Sequence, residues 1–173
     1  MSTLAGNLAY GGLFTFERWS PGGVRRIWRR TFRNGITTAG LNYAQETCFR
    51  SGAALATWYA GLIDNTGYSA LAAADTMSSH AGWTELTDYN ESTRQQWSPG
   101  AASNGVLVNA SAMTFTFSAT KTLKGGFIVS NSTKGGTTGT LWATGLADSA
   151  LTFYAGEIAR VTYSLTAAAG AGS

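Results

Sequence analysis

Apolar and polar residues alternate along most of this chain with a period of two, the spacing of a half-buried β-strand. Residues 13–19 alternate, Ser20-Pro21-Gly22-Gly23 follows with turn chemistry, and residues 24–32 resume with Val24, Arg26, Trp28, Arg30 and Phe32 on one parity. This pattern predicts a hairpin. Thr37 or Thr38 can then cap a helix whose Leu41, Ala44, Cys48 and Phe49 share one face, with Ser51-Gly52 as the stop signal. On that face Cys48 is expected to act as a small buried hydrophobe.

Residues 56–63 form a mostly apolar run of strand length, ended by Asp64-Asn65-Thr66-Gly67, and are expected to be a central strand. Residues 68–105 read as a long connection of polar and small residues, with short helical turns near Leu71 and after Asp75. Connections of that length are usually functional or lie under a partner. Strands return at short intervals over residues 106–110, 113–118, 126–130, 140–146, 151–154 and 160–165. In the second of these, Met113, Phe115 and Phe117 share one face and Thr114, Thr116 and Ser118 the other.

The fold class expected is mainly β, a jelly-roll-like antiparallel β-sandwich with one short helix near residues 38–50. Residues 1–12 carry no charge and too few apolar residues for a core element, so they are expected to form an extended N-terminal arm that orders on binding. Residues 13–166 are expected to make a single β-sandwich domain and residues 167–173 a flexible tail.

Composition adds a constraint on the surface. Of 173 residues 44% are hydrophobic and only 12% charged, about half the charged share of an average soluble protein. A monomer this poor in charge has little to hold it apart from its neighbours, so much of the surface is expected to be covered by other subunits. Cys48 is the only cysteine and His80 the only histidine, and no cysteine or histidine cluster has metal-ligand spacing. No metal, cofactor or catalytic residue is expected. No apolar run approaches the length of a membrane helix and no leader pattern opens the chain, so a soluble protein made in a reducing cytoplasm is expected.

Charge is concentrated in the first fifty residues, where seven arginines face Glu17 and Glu46. The arginine-rich hairpin is open to three readings. Arg25, Arg29 and Arg33 can lie on the solvated face of an edge strand, dock on acidic patches of a neighbour, or grip nucleic acid with Trp28 and Phe32 stacked on bases. A net charge of only +3 makes nucleic acid the least expected partner.

His80 sits between small residues and Trp83. A satisfied histidine, packed near Trp83 and bonded to backbone, Asp75 or Glu85, is the simplest reading, ahead of a recognition role. Catalysis comes last, because Ser78 and Ser79 lack a nucleophile elbow. The acids Asp75, Glu85, Asp88 and Glu91 are clustered, yet a glycosidase pair among them is a remote reading. Trp58, Trp83 and Trp97 are expected to be core or interface anchors rather than sugar platforms, and a buried Trp58 cut to Ala should cost about 3–5 kcal/mol. Arg94 is expected either to stack on Trp97 or to form a surface ion pair with Glu91.

Several separated blocks carry a resemblance. Arg30-Thr31-Phe32-x-Asn34-Gly35-Ile36-Thr37-Thr38-x-Gly40-Leu41-Asn42, then Trp58-Tyr59-x-Gly61-Leu62-Ile63, then Asp75-Thr76-Met77-x-Ser79-His80-Ala81-Gly82-Trp83-x-Glu85, then Tyr89, Arg94 and Trp97, together resemble a family of tailed-bacteriophage virion structural proteins. The resemblance covers roughly residues 12–165. It implies a non-enzymatic capsid decoration (cement) protein on the capsid exterior, a homotrimer with a jelly-roll body that bridges major capsid subunits. Residues expected at the capsid or subunit interface are Leu4, Leu8, Tyr10, Arg25, Arg29, Arg33, His80, Trp83, Arg94 and Trp97. The alternative is a head-fibre or tail component that binds a host surface glycan through exposed aromatics.

Overall fold

The computed structural model describes residues 9–55 and 57–168. Alternating sequence becomes antiparallel sheet throughout: β1 (Ala9–Trp19), β2 (Arg26–Ile36), β3 (Trp58–Asp64), β4 (Glu85–Leu86), β5 (Gln95–Trp97), β6 (Val106–Val108), β7 (Met113–Thr116), β8 (Lys121–Val129), β9 (Leu141–Phe153) and β10 (Ile158–Ala168). One helix, α1 (Thr38–Phe49), follows β2. The strand order is β4-β3-β8-β9-β2-β1-β10-β6, with β5 on β3 and β7 on β10. The sheet curls over its own inner face, so that Trp97 of β5 donates its indole N–H to the Tyr163 carbonyl of β10 across the core at 3.1 Å. The fold class is the one expected, a mainly β, jelly-roll-like antiparallel sandwich with a single α-helix among the described residues.

Inward positions obey the period of two. Phe14 and Phe16 of β1, Phe32 of β2, Leu62 of β3, Phe115 of β7 and Val161 and Tyr163 of β10 are buried in one aromatic-rich core. Two rings lie flat against the sheet because the facing residue is glycine. A Cβ on Gly145 would come within 2.8 Å of the Phe14 ring, and one on Gly61 within 2.2 Å of the Phe127 ring.

Phe127 belongs to a second core, on the outer face of β3 and β8. There Ile63, Phe127, Val129 and Leu141 are covered by Met77 and Trp83 from the connection between β3 and β4. The expected long connection is therefore a lid over an otherwise exposed apolar sheet face. It contains turns rather than helices near Leu71 and Asp75, and the two short strands β4 and β5 break the stretch that follows.

Several boundaries move. β1 begins at Ala9, and Ala9 to Gly12 pair in register with Ala168 to Leu165 of β10. The last four residues of the expected arm, and Ala167 and Ala168 of the expected tail, are thus strand, because each supplies the other's ladder hydrogen bonds. Residues 1–8 and 169–173 lie outside the described residues. The two strands expected at 140–146 and 151–154 are the single strand β9, which bends at a register shift against β8.

Helix α1 starts as expected. Thr37 caps it by accepting the Gly40 N–H at 3.1 Å, and its hydroxyl donates to the Leu141 carbonyl, tying the helix to β9. Ser51 takes the left-handed conformation (φ 58°), and the Gly52 N–H returns to the Glu46 carbonyl at 2.9 Å. Of the expected apolar helix face, however, only Ala44 packs against the core. Only Gly40 is buried, Phe49 is 81% exposed, and Cys48 is exposed rather than buried as expected. The close approach of Gly40 to the Trp142 backbone puts the buried side at the start of the helix, leaving its last turn in solvent.

Trp58 is half-buried, packed edge-on against Tyr43 and Trp142 at the α1 end of the core. Partial exposure lowers the expected cost of Trp58→Ala to about 2 kcal/mol, while the fully buried Phe16→Ala should cost about 3–5 kcal/mol. Urea denaturation of the two variants checks this order, and an equal or reversed order would contradict it.

Candidate functional site

The residues singled out in the sequence separate into a buried clasp and an exposed basic face. The clasp is centred on Arg94, whose side chain has no exposed surface. Its Nε and Nη2 donate to the two Glu85 carboxylate oxygens at 3.0 and 2.7 Å, Nη1 to the Asn131 carbonyl at 3.0 Å and Nη2 again to the Gly136 carbonyl at 2.7 Å. The guanidinium also lies 5.3 Å from the centre of the Phe127 ring. Arg94 therefore neither stacks on Trp97 nor pairs with Glu91 at the surface, as the sequence suggested. Burial of a charge is tolerable only with this many partners, and here a bidentate carboxylate and two carbonyls supply them.

Neighbouring groups extend the clasp. The Gly135 N–H donates to Glu85 Oε2 at 2.9 Å, and Lys134 Nζ donates to the Tyr89 and Glu91 carbonyls at 2.9 and 2.7 Å. Glu91 in turn accepts the Thr116 N–H. Burial pushes the Tyr89 phenol well above its ordinary range, with the Glu85 charge adding to the effect and Arg94 opposing it.

The second half of the clasp holds the lid. Trp83 is buried and donates its indole N–H to Asp75 Oδ2 at 3.0 Å, and the same oxygen accepts the Ala72 N–H. His80 stacks on Trp83 with ring centres 4.0 Å apart, and its Nδ1 lies 2.9 Å from the Trp83 carbonyl. Of the partners expected for His80, backbone is the one found; Asp75 is taken by Trp83 and Glu85 by Arg94. The four acids 75, 85, 88 and 91 are thus separately employed, Asp88 with Lys121. Among the described residues no three His, Cys, Asp or Glu side chains converge on a point that could hold a metal.

Of the residues expected at an interface, Trp83, Arg94 and Trp97 lie inside the chain and shape its surface only indirectly. Tyr10 is half-buried, edge-on to Trp142 at 6.0 Å. Leu4 and Leu8 lie outside the described residues. Arg25, Arg29 and Arg33 are exposed.

These arginines stand on a face with regular rows. On its outward side β1 presents Leu13 between Arg33 and Ser164, Thr15 between Thr31 and Thr162, and Glu17 between Arg29 and Arg160. Glu17 accepts from Arg26 at 2.7 Å and from the Trp19 indole at 3.0 Å. Beyond Asn34, toward the hairpin turn, β2 has β1 as its only strand partner among the described residues, which agrees with the edge-strand reading for that half of β2. Arg160 was missed in the sequence because its neighbours on the face are more than a hundred residues away.

The far end of the sheet is closed by Arg18, which donates to both Glu157 oxygens at 2.6 and 2.7 Å and lies over the Tyr154 ring. Burial opposes the charge on Glu157, but the Arg18 and Tyr154 N–H hydrogen bonds and the Arg18 charge outweigh it and hold the carboxyl below 4.5. Because the folded value is depressed, this contribution is complete above about pH 4.5 and is lost as the pH falls through the folded value. Glu157→Gln should lower the melting temperature near neutral pH, and the gap to wild type should shrink as the pH falls below 4.5; a gap that stays constant on acidification would exclude the linkage.

Removing one partner of the clasp is the more severe change. Arg94→Ala leaves Glu85 buried and unpaired and should cost about 3–5 kcal/mol in chemical denaturation, whereas Arg94→Met with Glu85→Leu should recover part of that loss. No protein-family model and no curated protein matches this sequence.

Proposed function

We propose that this chain is a virion structural protein that decorates and cements a tailed-phage capsid, acting through buried contact area with no turnover and no cofactor. The observation that carries this reading is how the chain uses its few charges. Asp75, Glu85, Glu91 and Glu157 are spent on the Trp83 indole, Arg94, the Thr116 N–H and Arg18, while Arg29 and Arg33 on the outward face of β2 have no carboxylate partner among the described residues. Around α1, Leu41 and Phe49 are also left to solvent at 40% and 81% exposure. A surface with unpaired cations and unpartnered apolar side chains, on a chain with 12% charged residues, has the composition of one that assembly covers.

In this reading the partner is the major capsid protein, the working form is a homotrimer, and the site of action is the capsid exterior of a particle built in the bacterial cytoplasm. A glycan-binding fibre or tail component draws less support. Tyr43, Trp58, Trp97 and Trp142 do line a hollow of about 150 Å³ with Leu107 and Leu165. The indole N–H groups of Trp97 and Trp142, however, are already satisfied by the Tyr163 carbonyl and hydroxyl, which leaves few donors for a sugar.

Quantitative densitometry of purified virions against the major capsid protein tests the proposal. A cement protein should be present on the order of hundreds of copies per particle, and shells lacking it should break at lower temperature. A few copies, with shells of unchanged stability, would place the chain in a tail or fibre and overturn the reading.

A further inference from the structure

We infer that the outward face of β2, β1 and β10 is a docking surface for a protein segment in which carboxylates alternate with apolar side chains, a proposal that rests on the assembly reading and specifies the chemistry of the partner. The first argument is an imbalance of charge. Among the described residues, Arg29, Arg33 and Arg160 of this face have no carboxylate within ion-pair distance, and the single acid of the face, Glu17, is engaged by Arg26. Arg29 and Arg33 point to the same side of β2, roughly 13 Å apart at strand rise. Guanidinium groups held in this way offer planar forks to carboxylates.

The second argument separates an acidic protein from a nucleic acid. Exposed Leu13 and Ile27 stand among these arginines, each 39% exposed, and Leu13 is the cross-strand neighbour of Arg33. Beside them is a hollow of about 350 Å³, walled by Tyr10, Leu13, Thr166 and Arg33, with Arg33 its only charged residue. An apolar hollow with one guanidinium on its wall fits an apolar side chain next to a carboxylate; a phosphate backbone leaves it empty. The tryptophans are not free to stack on bases either: Arg160 lies 4.1 Å from the Trp19 ring centre, and Trp28 is on the inward parity of β2, packed on Phe153 with ring centres 5.3 Å apart.

The third argument is backbone. From Arg33 back to Arg26, β2 has no strand partner among the described residues on the side away from β1, so an extended segment can also find hydrogen bonds along that edge. The same arginines that discourage addition of a neutral or basic strand favour an acidic one.

The test is selection from a library of random twelve-residue peptides on the purified full chain, followed by fluorescence anisotropy of the enriched peptides. Enriched sequences should place Asp or Glu beside aliphatic or aromatic residues. Their affinity should fall at least tenfold for Arg29→Glu with Arg33→Glu and several-fold for Arg29→Lys with Arg33→Lys, which keeps the charge but removes the fork. Both positions are exposed, so the lysine variant should keep the wild-type melting temperature, and the charge-reversed one should melt only slightly lower because Arg29→Glu puts a carboxylate opposite Glu17. No enrichment, or enriched peptides that bind the charge-reversed protein equally well, would overturn the proposal. So would a 25-base-pair DNA duplex that binds more tightly than the peptides at 150 mM NaCl and is lost in the same variant. The capsid reading is measured separately by occupancy on particles, so either can fail without the other.

Discussion

A guanidinium with no solvent contact organises the upper half of this molecule. Arg94 can remain charged inside the protein only if its N–H groups are answered there, and the groups that answer it come from three separate stretches: Glu85 of β4, Asn131 and Gly136 of the β8–β9 loop, and the Phe127 ring of β8. Satisfying one residue therefore fixes the position of β4, the start of β5 and the loop that turns β8 into β9. An apolar residue in its place could fill the volume but could not specify which carbonyls surround it. The arrangement uses directional bonds to set the register of short strands that hydrophobic burial alone leaves loosely defined.

Those short strands matter because the central pair, β3 and β8, is apolar on both faces. An antiparallel sheet normally leaves one face to water. Here the inner face joins the aromatic core, and the outer face is closed by Met77 and Trp83 of the connection that Arg94 and Asp75 hold down. The glycines follow from the same geometry: with aromatic rings on both sides of the sheet, Gly61 and Gly145 are where a ring must lie directly on the backbone. His80 stacks on Trp83 and continues this layer.

Four of the nine acids are committed to such contacts, and the charge left on the exterior is unevenly distributed. The outward face of β1, β2 and β10 keeps unpaired arginines among threonine rows and isolated leucine and isoleucine, and the last turn of α1 keeps an exposed phenylalanine. Each is better explained by what meets it from outside the chain, and this is the physical basis for reading the protein as a component of an assembly.

Local patterning determined much of the architecture. Alternation in residues 13–19, 24–32 and 113–118 specified strands and their inward rings, Thr37 specified the helix start, and Ser51-Gly52 its end, because strand period, capping and left-handed turns are short-range effects. The blocks around Asp75, Trp83, Glu85 and Arg94 were recognisable as important, but their roles were not. Arg94 was expected near Trp97 or Glu91, three residues away on either side, whereas its partners are nine, 37 and 42 residues distant. Likewise, Cys48 and Phe49 share an apolar helix face in the sequence, yet whether that face is covered depends on which end of α1 β9 approaches. The pairing of Ala9 to Gly12 with the end of β10, and the meeting of Arg160 with Arg29 across Glu17, are decided when the chain's two ends come together as neighbouring strands. Periodicity records which side of an element is apolar; only the tertiary structure decides what that side meets, because burial and ion pairing depend on residues far apart in the chain.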